Sequence, residues 1–179
     1  PTGVPGAGDT AIFDKTAEIN LGMPRQVEEL KFTGNATLTL NDGDGTHNLT
    51  VERITVAGDK QVTIDQTSKI CFKSGMTNSP IVVGSGKDAK LTFEMYSQLM
   101  GAGNLELSGK GTLEMKVPVD GATGLKITQG GTLILKNYGK MPGLLGSEVV
   151  IENGNLTLNK NLKTAITTIT VKSGILTVP

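Results

Sequence analysis

The residues able to do chemistry are few and concentrated. The densest set is Asn41-Asp42-Gly43-Asp44-Gly45-Thr46-His47-Asn48, where carboxylate and amide side chains alternate with glycine. Oxygen donors at alternate positions of such a loop suit Ca²⁺, which makes Asp42 and Asp44 the metal candidates. The third donor before the glycine and the distal Glu of an EF-hand loop are not in place. Asp-Gly and Asn-Asp also close ordinary turns after a strand, and that reading is preferred, so no metal is assigned. His47 is the single histidine. A Ser-His-Asp device would have to use it, and no Gly-x-Ser-x-Gly elbow accompanies it. Val83-Gly84-Ser85-Gly86-Lys87 lacks the spacing of a phosphate loop, and no helical pattern follows it. No cofactor is expected.

Paired carboxylates would matter more. Glycoside hydrolysis needs two of them roughly 5 to 10 Å apart. Stacked strands would bring together Glu94, Glu106 and Glu114, or Asp42, Asp44 and Asp65. Yet arginine is limited to Arg25 and Arg53, and aromatic residues are only 3%, so little is available to hold an acidic sugar or to stack on a ring. Solvated surface carboxylates are the preferred reading, and the chain is expected not to be an enzyme. A polysaccharide-degrading β-helix, lyase or glycosidase, is the alternative. Cys71 stands alone, which rules out an internal disulfide and a cysteine-based zinc site. It reads as a small buried hydrophobe.

Composition narrows the partners. Lys plus Arg and Asp plus Glu each total 17, for a net charge of zero. Nucleic-acid binders carry a basic surplus and anionic membranes recruit one, so neither partner is expected. No run approaches the ~18 apolar residues of a membrane span. With no Trp and four Phe, the core must be aliphatic. The opening Pro1 and the closing strand Ile175–Val178 read as the cut ends of one segment, 1–179, of a longer protein.

The elements that would position these residues come from a repeat. A glycine or asparagine, a small or polar residue, then apolar-polar-apolar recurs along the chain. Its first apolar residues are Ile19, Leu38, Val62, Leu91, Leu113, Leu133, Leu156 and Leu176, at intervals of roughly 22 residues. A second short strand precedes most copies, as in Leu30–Phe32, Ile54–Val56, Leu105–Leu107 and Leu125–Ile127, with a glycine corner between. Each unit has one apolar stripe that it cannot bury alone, and stacking pools the stripes into a column. These anchors are therefore the expected inner ladder of an all-β parallel β-helix of about eight short coils, on the order of 38 Å long. The long step from Val62 to Leu91 implies an enlarged coil at about 65–90, bulging from one side. Thr92–Gly101 is the one stretch expected to make a helical turn, with Phe93, Met95 and Tyr96 covering a neighbouring surface. Thr39, Thr63, Thr92, Thr157 and Thr177 should form an outward threonine column, as β-branched residues do on strands.

The phrases Gly101-Ala102-Gly103-Asn104-Leu105-Glu106-Leu107-Ser108-Gly109 and Gly130-Gly131-Thr132-Leu133-Ile134-Leu135 resemble the passenger-associated repeat of bacterial autotransporters. Val4–Phe13 is similar to the start of many such surface proteins. The resemblance implies a right-handed β-helix, exported through a bacterial envelope and displayed at the cell surface or released. The function expected is structural and adhesive: a rod presenting loops to a host or neighbouring-cell surface protein or glycan. The variable connections at 65–80 and 136–148 would make those contacts, with Met141, Leu144 and Leu145 the interaction-loop candidates. Self-association through the open ends of the solenoid is a further expected partner mode, because uncovered coils present unpaired strand edges.

Overall fold

The computed structural model describes residues 5–41, 46–65, 69–94, 98–117, 119–136, 148–158 and 168–178. Every strand pairing among them is parallel, and none of these residues is helical. The chain is an all-β parallel solenoid. Numbered along the chain, one face stacks β2 (Ala17–Asn20), β4 (Ala36–Asn41), β6 (Gln61–Ile64), β9 (Lys90–Phe93), β12 (Thr112–Met115), β15 (Thr132–Leu135), β17 (Gly154–Leu158) and β19 (Gly174–Thr177) in that order. Those eight rungs agree with the expectation of about eight short coils.

The second face stacks β1 (Thr10–Phe13), the C-terminal halves of β3 (Arg25–Phe32) and β5 (Leu49–Val56), β8 (Asn78–Val83), β11 (Asn104–Ser108), β14 (Gly124–Ile127), β16 (Glu148–Ile151) and β18 (Thr168–Val171). A third face grows from the N-terminal halves of β3 and β5 and continues through β7 (Lys69–Phe72), β10 (Gln98–Met100) and β13 (Val119–Asp120). The long strands β3 and β5 serve two faces because each bends midway. Inward-outward alternation breaks at Glu28-Glu29 and at Glu52-Arg53, where consecutive residues point out. A side-chain period of two cannot turn a corner without such a slip.

The interior is a set of aliphatic columns. On the second face Ala11, Leu30, Ile54, Ile81, Leu107, Ile127, Ile151 and Val171 lie in register. On the first face Val62, Leu91, Leu113, Leu133, Leu156 and Leu176 do the same. Two expected ladder members are offset: Leu38 pairs with Ala17 and Ile64, and Ile19 pairs with Leu40, while Ala36 stands over Val62. Leu38 lies two residues and Ile19 four residues along from that column, and both shifts are even, so both keep the inward face. They arise because β4 has six residues, with inward anchors at Ala36, Leu38 and Leu40, against four residues in β6.

The third face also changes two expectations. Ile70–Phe72 does not bulge outward: Ile70 is fully buried between Leu49 and Leu99. Residues 98–100 form a strand rather than a helical turn, and Phe93 points into the core, in register with Ile64 and Met115. Met95 and Tyr96 lie outside the described residues.

Candidate functional site

Several sequence candidates have no described geometry. Asp42 and Asp44, and likewise Met141, Leu144 and Leu145, lie outside the described residues. Among the described residues no group of three His, Cys, Asp or Glu side chains is placed to hold a metal. Gly84–Lys87 falls in the corner between β8 and β9, and a strand follows it. The carboxylates divide between faces. Glu106 sits on β11 of the second face, where the Asn78 side-chain amide donates to it at 2.9 Å. Glu114 sits on β12 of the first face, so the expected meeting of Glu106 with Glu94 and Glu114 does not occur.

Glu94 and Glu114 do share an environment. Register places Glu114 below Thr92 and above Ile134 in an outward column that runs Thr37, Thr63, Thr92, Glu114, Ile134, Thr157, Thr177. Thr39, expected in that column, pairs with Glu18 instead. The Glu114 side chain is only 6% exposed despite its outward position, because one lysine on its own rung and one on each flanking rung fold over it. Lys90 reaches it at 2.8 Å, Lys136 at 2.9 Å and Lys116 at 4.0 Å, while Lys116 also pairs with Glu94 at 2.6 Å. Burial pushes the Glu114 carboxyl up, but hydrogen bonds from Lys90 and Lys136 outweigh it and hold the group below its ordinary value. Gln61, Thr63, Thr92, Lys90, Glu94, Glu114 and Lys116 line a polar cavity of about 240 Å³. The lysines keep Glu114 ionised, which suits an electrostatic clasp across rungs.

A larger concavity lies on the outside of the third face. It measures about 760 Å³. Its floor is one outward row, Gln26, Thr50, Cys71 and Met100, each the register partner of the next. The turn Lys73–Met76 and the segment Gly101–Gly103 stack on consecutive rungs along one side of it. Ser79 fixes the Gly101–Gly103 segment from within. Fully buried, its hydroxyl donates to the Ala102 carbonyl at 2.7 Å and accepts from the Ala102 amide at 2.6 Å. Gly103 holds φ +63°, and a Cβ there would lie 1.9 Å from the Thr77 carbonyl oxygen, so the segment can approach the turn only through glycine. Lys73 is tied to Glu52 at 2.6 Å. The groove is therefore a mosaic of amide, hydroxyl and thioether groups whose one lining cation is paired.

Sequence reasoning missed this groove. It marked 65–80 as a variable connection, but Gln26, Thr50 and Met100 come from three other segments. The readable signal was the pair of alternation breaks at Glu28-Glu29 and Glu52-Arg53, which announces a third face. Comparison with protein-family models, with curated proteins and with solved structures yields no match to this chain.

Proposed function

We propose that this chain is a non-enzymatic structural and adhesive segment of an autotransporter-like bacterial surface protein, exported and displayed or released outside the cell. The observation that carries the reading is the separation of scaffold from surface. The columns from Leu30 to Val171 and from Val62 to Leu176 stay in register rung after rung, while the connections between them differ in length and composition. Such a scaffold tolerates change in its loops without disturbing its core. The loop phrases around Gly101–Gly109 and Gly130–Leu135 support the envelope assignment through their resemblance to passenger repeats. Partners are host or neighbouring-cell surface molecules, met by the 65–80 connection and its neighbours.

Binding of labelled protein to bacterial and host cells tests this. Replacing Ser74 and Met76 by alanine, with Gly75 and its φ of +84° kept, should leave the unfolding midpoint nearly unchanged and lower cell binding at least fivefold. Absence of cell binding by the unaltered chain would refute the reading. The alternative, polysaccharide cleavage, draws on the cavity shared by Glu94 and Glu114. Release of oligosaccharide from acidic or neutral polysaccharides, abolished by Glu114→Gln, would establish it in place of the adhesive role.

A further inference from the structure

We propose that the groove on the third face binds a neutral linear glycan laid along the solenoid axis. The inference deepens the adhesive reading and rests on it for its biological setting, not for its chemistry. The groove volume of about 760 Å³ falls within the range of pockets that enclose small ligands. Its floor runs across consecutive rungs rather than along a strand, because Gln26, Thr50, Cys71 and Met100 are successive register partners. At the ordinary strand spacing that row is about 14 Å long, a length that accommodates about three pyranose units. The row repeats with a period close to that of an extended sugar chain, so each rung can meet one unit.

The lining chemistry selects the ligand class. Gln26 and Asn48 offer carboxamides, each able to donate and accept. Thr50 and Ser74 offer hydroxyls, and Met76 and Met100 offer apolar surface for the C–H faces of a sugar ring. Met100 is 40% exposed, an apolar side chain left open on the groove floor. Among the described residues the Gln26 carboxamide makes no side-chain hydrogen bond, and Asn48 makes only a long one, 3.4 Å, to Thr50. These amides are available to ligand hydroxyls. A charged glycan finds no free counter-charge, since Lys73 is held by Glu52. Three of the four floor strands, β5, β7 and β10, are hydrogen-bonded on both sides, so a peptide strand finds a backbone edge only at the Gln26 end, on β3.

Calorimetric and NMR titration of the intact chain with neutral gluco-, galacto- and manno-oligosaccharides of three to six units tests the proposal. At least one neutral series should bind, with affinity rising up to about three units and then levelling. Gln26→Ala and Met100→Arg should each weaken it tenfold or more, at an unfolding midpoint unchanged within error. Oligogalacturonate of equal length should bind no better than the neutral series. Ser74→Ala, on the Lys73–Met76 turn, gives an independent variant and should weaken binding severalfold. No binding by any neutral series at millimolar concentration, or binding untouched by all three substitutions, overturns the inference. Cell binding that persists when saturating oligosaccharide fails to compete would overturn the glycan proposal while leaving the adhesive role standing. Sugar binding by a chain that ignores cells would do the reverse.

Discussion

Glu114 and Ile134 together interrupt a column that carries threonine on either side of the pair, and three lysines answer Glu114. Its lowered pKa sets the sign of a pH effect. A carboxyl whose folded-state value lies below its unfolded value, here below the ordinary 4.5, contributes stability that is complete above the unfolded value. That contribution disappears as pH falls through the folded value. Thermal unfolding should therefore show a Glu114→Gln midpoint below that of the parent chain at pH 7, with the gap closing in the acid range below about pH 4. A gap that persists unchanged at pH 3 would assign the loss to packing instead. Gly154 makes a second residue-scale case. It holds φ +153°, and a Cβ there would lie 2.5 Å from the Gly131 carbonyl oxygen on the rung above. Gly154→Ala should cost about 1–3 kcal/mol in denaturant unfolding, because backbone, not a flexible side-chain end, blocks the methyl.

At the scale of the element, the strands divide into those stacked on both sides and those that are not. Leu113 on β12 is fully buried between Leu91 and Leu133, so Leu113→Ala should cost about 2–5 kcal/mol. Leu176 on β19 occupies the equivalent place with a described neighbour on one side only. Leu176→Ala should cost less than half as much in the same denaturant titration. Legibility in the sequence followed the same division. Short strands such as β12, β15 and β17 announced themselves, since each has one glycine corner and one apolar pair at fixed offset. The anchors Leu38 and Ile19 slipped by two and four residues because β4 holds three equivalent inward positions, and a single unit gives no reason to prefer one. The third face was obscured because only Leu30–Phe32 and Ile54–Val56, the C-terminal halves of β3 and β5, read as strands, while the N-terminal halves carry the extra face. The groove was least legible of all: its floor comes from residues 26, 50, 71 and 100, neighbours only through register.

For the whole molecule, the contrast between middle and ends dominates. In the last described rung Ile169 and Val171 are 37% and 44% exposed, whereas their register partners Val149 and Ile151 one rung earlier are fully buried. Amide hydrogen exchange should be fastest in β18 and β19 and slowest near β11 and β12, with a graded rather than abrupt change between them. Uniform protection would contradict the rung-by-rung picture. The self-association expected of this chain is tested by sedimentation velocity: mass should rise with concentration, and Val171→Lys should suppress it. A strict monomer at high concentration would remove that mode. The parallel pairing of every described strand has a mechanical consequence too. Hydrogen bonds between rungs point along the long axis, so tension applied at the two termini peels one coil at a time instead of shearing a sheet. Single-molecule stretching should give a low-force sawtooth in which each tooth releases about 70 Å of chain, the extended length of one turn.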